Sequence, residues 1–191
     1  MGADECYAPV SPDDDFLQGE LLSAVSTYSV SGESSPPRIT VVELGFAVVL
    51  SQSCDLVTRD VGKQVPEIEV LLCQAQLESA CISFLPQGPV LRIIRQNTHP
   101  RFHYLRAFDP DDDSDGVGSN EPMYIDFRSI FTLSMTELRR QAKITALHRR
   151  CSLLSPFREH LSSRFGDYIS RVALPSDHFP AVKLSLAANS S

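Results

Sequence analysis

The sequence has no long hydrophobic run, since its longest apolar stretch, residues 39–50, is interrupted by Glu43. A bilayer-spanning helix needs about 20 consecutive apolar residues, so we expect no membrane helix. The first residues are acidic and carry no apolar segment, which argues against a signal peptide. Hydrophobic residues make up 42% and charged residues 21% of the chain, a balance typical of globular proteins. We therefore expect a cytoplasmic protein.

Cofactor and metal motifs are also missing. The sequence contains neither a P-loop nor a GxGxxG motif, so it predicts no cofactor. The five cysteines include no CxxC pair, and the gap between Cys73 and Cys81 matches no zinc knuckle. We predict free thiols and no metal site. Without a decisive catalytic motif, the sequence leans against an enzyme.

Charge is distributed unevenly along the chain. The net charge is −7, yet residues 138–171 hold eight basic side chains and only two acidic ones. An acidic protein is a poor general nucleic-acid binder, because it repels phosphate. A local basic surface is still suited to RNA or to an acidic protein partner, with a solvated helix face as the alternative.

The sequence predicts four regions along the chain. Residues 1–15 are predicted to be a mobile N-terminal arm, 16–133 a β-barrel, 134–175 a helical pair packed on it, and 176–191 a loose tail. Within the barrel, residues 109–120 are predicted to form a solvated acidic loop. The predicted strands are 16–22, 38–51, 67–74, 82–85, 90–94, 101–108, 123–127 and 130–133.

The strongest strand signal is at residues 38–51. This segment is rich in β-branched residues and almost continuously hydrophobic, which is typical of a strand buried on both faces.

Helical periodicity begins after residue 133. Ser134 and Glu137 have the spacing of a capping box, which predicts a helix over about 135–150. A second helix is predicted from Ser155, with Pro156 at its first position, where a missing N–H is tolerated. Short strands followed by two helices predict an α+β fold, a small antiparallel SH3-like barrel closed by a C-terminal helical pair.

Two segments carry a resemblance to known proteins. The apolar run at 48–50 is followed by Ser51-Gln52-Ser53-Cys54-Asp55, which resembles a group of uncharacterised bacterial proteins whose apolar strand ends in Ser/Thr-Gln-x-Cys-Asp. Residues 147–175 resemble the C-terminal part of the same group. The resemblance implies a bacterial multi-protein system, such as phage defence or a toxin–antitoxin-like module.

The order of elements also resembles the PemK/MazF-like barrel of bacterial growth-control ribonucleases. Gly19, Arg38 and residues 48–51 and 124–138 occupy comparable places. This resemblance implies an SH3-like barrel and RNA as a partner. The Arg-Pro pair that normally opens the second strand is absent, and the sequence assigns no RNA-cleaving pair.

The residues after the apolar strand are the candidate catalytic set. A cysteine nucleophile needs a base and an oxyanion donor, and Cys54, Asp55 and Gln52 collect where the strand ends. His103 is the candidate base, or His99 in its place. Alternatively, Cys54 packs in the core while Asp55 caps the following turn.

Basic side chains form the candidate binding set. Arg101 and Arg106 alternate with Phe102 and Tyr104, a pattern suited to stacking on and neutralising a nucleic-acid strand. As an alternative they are outward-facing strand residues. The predicted C-terminal helices add Arg139, Arg140, Lys143, Arg149 and Arg150.

Three functional hypotheses follow. The first is a non-catalytic binding or adaptor protein with a protein partner. The second is a thiol-dependent enzyme that uses Cys54. The third is an RNA-binding or RNA-cleaving PemK/MazF-like barrel. The sequence leaves the oligomeric state open.

Overall fold

The computed structural model describes residues 6–32, 36–56, 67–144 and 147–171. In these residues one antiparallel sheet has seven strands, in the order β1-β7-β2-β3-β4-β6-β5. The strands are β1 Tyr7–Pro9, β2 Glu20–Ser31, β3 Arg38–Val49, β4 Glu69–Leu77, β5 Phe102–Leu105, β6 Met123–Ser134 and β7 His148–Leu153. The helices are α1 Ser53–Leu56, α2 Glu78–Cys81, α3 Pro89–Arg95, α4 Met135–Ile144 and α5 Phe157–Ser170.

The sheet is open, so the predicted SH3-like barrel is wrong and an α+β class fits only loosely. A barrel needs a continuous backbone ladder around its circumference. In the described residues, β1 and β5 are the two edge strands, and no ladder joins them. The edges approach through a side chain instead, because Tyr7 Oη donates to the carbonyl of Arg106 at 2.8 Å.

The predicted helical pair is also corrected. In the described residues the first helix, α4, ends at Ile144, and residues 148–150, which the prediction placed in this helix, belong to strand β7. That strand lies inside the sheet between β1 and β2. Strand pairing on both sides satisfies its backbone and buries Cys151 and Leu153, which a solvent-facing helix end would not do.

Two predicted strands do not form. Residues 82–85 are a turn that follows α2, and residues 90–94 lie in helix α3. Gly88 has φ +68°, and Pro89 occupies the first turn of α3, where proline favours the helix. The two strands expected at 123–127 and 130–133 are one continuous strand, β6.

Both faces of the sheet are buried at its centre. Val48 packs in a cluster with Leu161 and Phe165 of α5. Val49, its neighbour, packs on the other face with Leu138 of α4. The prediction of a strand buried on both faces is confirmed for residues 47–50 and is wrong for the first half of β3, which is exposed.

The N-terminal end differs from the predicted arm where it is described. Cys6 and Tyr7 are buried, and β1 pairs with β7, so this part of the predicted arm is an edge strand. Residues 1–5 of the arm, 172–175 of the helical pair and the tail at 176–191 lie outside the described residues.

The loop at 109–120 is anchored to the sheet. Asp113 is 5% exposed and holds Arg150 of β7 through two hydrogen bonds of 2.9 and 2.5 Å. Gly118 has φ +72°, and a Cβ there would lie 2.8 Å from the carbonyl oxygen of Phe108. Glycine is required at this position, and the expectation of a solvated acidic loop is wrong at Asp113.

None of the helices in the described ranges combines the length and the apolar character that crossing a membrane requires.

Candidate protein-docking site

Beyond the buried centre of the sheet, β2 and β3 continue as a two-stranded ribbon formed by residues 25–31 and 38–44. The strands pair with each other from Val25↔Leu44 to Ser31↔Arg38. In the described residues, β2 pairs with β7 only over 20–23, and β3 pairs with β4 only over 46–49. Both outer edges of the β2–β3 ribbon therefore lack a neighbouring strand there.

One face of the ribbon is apolar. Tyr28 lies opposite Val41, and Val30 lies opposite Ile39. Alternate strand residues share a face, so these four side chains form one surface. Their exposed fractions are 60, 67, 64 and 67%, respectively.

The outer part of the opposite face is mainly polar, with Val42 as its exposed apolar member, whereas Val25 and Leu44 on this face lie against the sheet and are buried or half-buried. Its other residues are Thr27, Ser29, Ser31, Arg38 and Thr40. The ribbon includes two charged residues, Arg38 and Glu43, whose charges balance. A partner for this ribbon therefore needs apolar side chains rather than charge.

Two properties of the β2–β3 ribbon favour the binding of another protein. Clustered apolar side chains on a surface mark interaction sites more often than scattered ones do. A ribbon with unpaired edges also offers backbone N–H and C=O groups to an incoming strand. Both properties occur together on the β2–β3 ribbon.

Helix α4 holds the root of the ribbon. The buried side chain of Gln141 accepts from the Ser26 N–H at 2.9 Å and donates to the Ser26 carbonyl at 2.8 Å. These are the two bonds that a neighbouring strand would make. Glu137 accepts a further bond of 2.9 Å from Gln141. The amide thus terminates the sheet on this side and fixes the direction in which the ribbon leaves it.

The structure brings three of the predicted catalytic residues together. Cys54 is exposed in α1, and its Sγ lies 3.7 Å from Gln52 Oε1 and 3.6 Å from Asp55 Oδ1. The alternative that Cys54 packs in the core is wrong, because the side chain faces solvent.

His103, the predicted base, lies in different surroundings. It is buried in β5, and its ring packs near Phe127 and His160. Across the ranges that the structure describes, Cys54 and His103 share no contact. The site lacks the nucleophile–base hydrogen bond that thiol catalysis by this pair requires.

The two arginines predicted to bind nucleic acid from a strand, Arg101 and Arg106, have different surroundings. Arg101 binds Asp126 through two hydrogen bonds of 2.8 and 2.5 Å. Arg106 follows β5, and its guanidinium lies 4.0 Å from Cys6 Sγ. The charge of Arg101 is compensated within the protein.

Two of the three predicted binding cations on α4 also form ion pairs within the protein. Arg139 pairs with Asp15 at 3.1 Å, and Arg140 pairs with Glu137 at 2.6 Å. The Arg140 bonds, with one from Gln141, lower the pKa of Glu137 to about 2. Lys143 lies one turn further along α4 and is exposed.

Arg149 and Arg150 lie in β7 rather than on a helix. Arg149 binds the fully buried carboxylate of Glu20 at 2.5 and 2.9 Å, and Arg150 binds Asp113. Both arginines were predicted to belong to a basic helix suited to RNA, and both instead form ion pairs within the protein.

Arg139, Lys143 and Arg149 do meet at one place. They line a cavity of about 820 Å³ together with carboxylates of two other segments. Those carboxylates are Asp13, Asp14, Asp15, Asp113 and Asp115. Opposite charges face each other across this cavity, so it does not present the uniformly positive surface expected of an RNA site.

Sequence reasoning missed the ribbon as a functional surface. The sequence predicted residues 38–51 to be a single strand buried on both faces, although residues 38–41 alternate between polar and apolar. Residues 27–31 alternate in the same way. Two alternating segments joined by a Ser- and Pro-containing loop were the available signal for an amphipathic hairpin.

Comparison of the chain with models of known protein families, with curated proteins and with solved structures found no match.

Proposed function

We propose that this protein is a non-catalytic binding or adaptor subunit of a bacterial, cytoplasmic multi-protein system, with the β2–β3 ribbon as its docking element. The observation that carries the proposal is the apolar face formed by Tyr28, Val30, Ile39 and Val41, exposed on a ribbon with unpaired edges. The bacterial defence or toxin–antitoxin-like setting rests on the resemblance of residues 48–56 and 147–175.

The partner is an extended, apolar segment of a different protein. Such a segment adds as a strand to a free edge of the ribbon and gains backbone hydrogen bonds. Its alternate side chains cover the apolar face. A second copy of this chain is a poorer occupant, because each copy carries a net charge of −7 and the copies repel each other.

The surroundings of Cys54 and of the arginines favour binding over the two other hypotheses. The thiol has Gln52 and Asp55 beside it but not His103. Five of the seven candidate binding cations form ion pairs with carboxylates of this protein. They are Arg101, Arg139, Arg140, Arg149 and Arg150.

The test uses a synthetic peptide of alternating valine and threonine, equal in length to a ribbon strand. Amide chemical shifts of the full-length protein are followed by NMR as the peptide is added. We expect saturable shifts confined to the ribbon. A peptide of the same length that alternates valine with glutamate serves as the charged comparison, and we expect it to bind more weakly.

The decisive variant is the double substitution Ile39→Thr and Val41→Thr, which keeps β-branched side chains while removing apolar area. We expect it to abolish peptide binding. The matched control is Val117→Thr with Ile144→Thr, whose side chains are as exposed, 68% each, but lie elsewhere. Equal peptide affinity in both double variants, or shifts outside the ribbon, would refute the docking role.

A further inference from the structure

The hydrogen bonds of Ser26 show which backbone groups of the β2–β3 ribbon point outward, away from the other strand. The Ser26 N–H and C=O both bond to Gln141 of α4, at 2.9 and 2.8 Å, so neither is directed at β3. Ser26 lies opposite Glu43. Opposed residues of an antiparallel pair alternately exchange both backbone bonds or none. Ser26 and Glu43 are therefore a pair whose backbone groups point outward, each at the outer edge of its own strand.

The same alternation applies to the two apolar pairs of the ribbon. Tyr28 lies opposite Val41, two residues along from Ser26 on β2 and from Glu43 on β3. Val30 lies opposite Ile39, two residues further along each strand. The backbone groups of all four residues thus point outward as well. The residues that form the apolar face are the same ones that offer an N–H and a C=O at the edges of the ribbon.

The outer edge of β2 is partly occupied. Gln141 holds the backbone of Ser26, the outward residue at the root of this edge. A strand that arrived along β2 would have to displace this amide or end before reaching α4. The β2 edge therefore offers the backbone of Tyr28 and Val30 alone without such a displacement.

The outer edge of β3 is more open. β4 lies antiparallel to this edge, and its pairing with β3 begins at Phe46↔Ala75. Before that point, the outward backbone groups of Ile39, Val41 and Glu43 have no hydrogen-bond partner in the ranges that the structure describes. Three successive outward residues are thus available on the same edge that β4 uses further along the strand.

Glu43 adds a charge to the apolar face of the ribbon. It is exposed and lies two residues from Val41 on the same strand, so its side chain shares the face of Val41. Its carboxylate forms no ion pair with the described part of the chain. Arg38, the other charged residue of the ribbon, lies on the opposite face. The apolar face therefore ends, at its root, in an uncompensated negative charge.

We propose that the partner segment adds antiparallel to the outer edge of β3, with a basic residue opposite Glu43 and apolar residues opposite Val41 and Ile39. This proposal rests on the docking function proposed above and specifies its partner. Read from its N-terminal side, the segment is basic, any residue, apolar, any residue, apolar.

Cross-strand pairing gives the reason for this pattern. Directly opposed residues of an antiparallel pair lie on the same face and contact each other. The two apolar side chains of the partner therefore extend the apolar face of the ribbon, while the basic one pairs with Glu43. The antiparallel direction is that of β4 on the same edge, and antiparallel pairing is slightly the more stable of the two directions.

The first experiment identifies the edge. A peptide of sequence Lys-Thr-Val-Thr-Val-Thr, with both ends blocked, is added to the full-length protein, and amide hydrogen exchange is followed by NMR. At saturating peptide, we expect exchange at Ile39, Val41 and Glu43 to slow by about tenfold or more, because these amides gain a partner. Exchange at Tyr28 and Val30 should change little. Protection along β2 instead would overturn this assignment while leaving the docking role intact.

A pair of proline substitutions tests the same edge independently. Proline lacks the backbone N–H and is tolerated at sheet edges. Ile39→Pro removes an outward donor of β3. Val30→Pro is the matched control, because Val30 lies opposite Ile39, is about as exposed, and has its outward N–H on β2. We expect Ile39→Pro to weaken peptide binding roughly five- to tenfold more than Val30→Pro does.

Equal losses of affinity in the two proline variants would overturn the proposal. If circular dichroism shows that either variant is misfolded, the exchange measurement on the native protein decides.

The basic residue is tested by replacing the lysine of the peptide with glutamate. We expect the native protein to bind the lysine peptide about threefold or more tightly than the glutamate peptide, and Glu43→Gln to remove this preference. Glu159→Gln, at an exposed position of α5, makes the same change in net charge and should keep it. A preference that survives Glu43→Gln would contradict the pairing. No binding of any alternating peptide would refute both this proposal and the docking role.

Discussion

Two consecutive arginines of β7, Arg149 and Arg150, contact opposite faces of the sheet. Arg149 lies over the ring of Phe16, 4.4 Å from its centroid, whereas Arg150 lies near the ring of Phe108. Consecutive strand residues point to opposite faces, so the pair ties both faces of the sheet to carboxylates. The basic side chains at these two positions therefore form ion pairs within the protein.

Asp113 leads to a prediction about acid stability. Burial acts to raise the pKa of its carboxyl, but hydrogen bonds from Arg150 and from the N–H groups of Asp115 and Gly118 outweigh it and lower the pKa to about 2. The ordinary pKa is 3.8. A lowered folded-state pKa contributes stability that is fully present above the ordinary value and is lost as the pH falls toward the folded value.

We therefore expect the free energy of unfolding of the native protein to exceed that of Asp113→Asn by a constant amount above about pH 5, with the gap narrowing toward pH 2. Urea unfolding at a series of pH values measures it. Asp111→Asn, at an exposed position of the same loop, is the control and should show little difference throughout. A gap for Asp113→Asn that does not change with pH would contradict the assignment.

At the scale of elements, α4 and the β2–β3 ribbon form one functional unit. A two-stranded ribbon is marginally stable by itself, so its root must be held by the rest of the fold. Gln141 does this through the backbone of Ser26. The orientation of the proposed docking surface therefore depends on a side chain distant in sequence from the ribbon.

Gln141→Leu should loosen the ribbon. Leucine fills similar space but leaves the N–H and C=O of Ser26 without these partners, so we expect a loss of stability of about 2 kcal/mol. Hydrogen exchange at the Ser26 amide should accelerate more than exchange in the buried centre of β3. Lys143→Leu, an exposed position on the same helix, is the control, and equal exchange in the two variants would argue against the anchoring role.

At the scale of the whole molecule, Arg149 joins strand β7 to the N-terminal part of the chain. It binds Glu20 of β2 from its place in β7. It also donates to the carbonyls of Ser11, Asp14 and Asp15 at 3.1, 2.6 and 3.1 Å. These bonds hold the segment that follows β1 against the sheet.

Arg149→Ala should lower the free energy of unfolding by about 3–5 kcal/mol, because it leaves the buried Glu20 carboxylate unpaired. Arg128→Ala removes an exposed ion pair with Asp126 and should change stability by less than about 1 kcal/mol. Chemical denaturation of both variants measures the difference. Similar losses for the two substitutions would show that the buried pair is not a principal support of the fold.

Local patterns account for the elements that the sequence predicted correctly. The apolar residues at 47–50 are buried on both faces of the sheet. The helix expected after Ser134 begins at Met135, and Ser134 Oγ accepts from the Glu137 N–H at 3.2 Å. Such features depend on neighbours within a few residues, so they can be read from the chain directly.

The open sheet and the site depend on contacts that local patterns do not contain. Residues 148–150 carry a basic run that suits a helix end, yet they belong to strand β7. Arg149 and His148 pair with β2, and the rest of β7 pairs with both β1 and β2. The exposure of Ile39 and Val41 depends on where β4 stops pairing with β3.

By itself, the sequence determined the hydrophobic centre of β3, the start of α4 and the closeness of Gln52, Cys54 and Asp55. The tertiary structure decided which charges are neutralised, which apolar residues stay exposed, and that His103 lies near His160 rather than Cys54. The physical reason is range: capping and strand alternation act between near neighbours, whereas ion pairing and burial join residues such as Arg149 and Glu20 that only folding brings together.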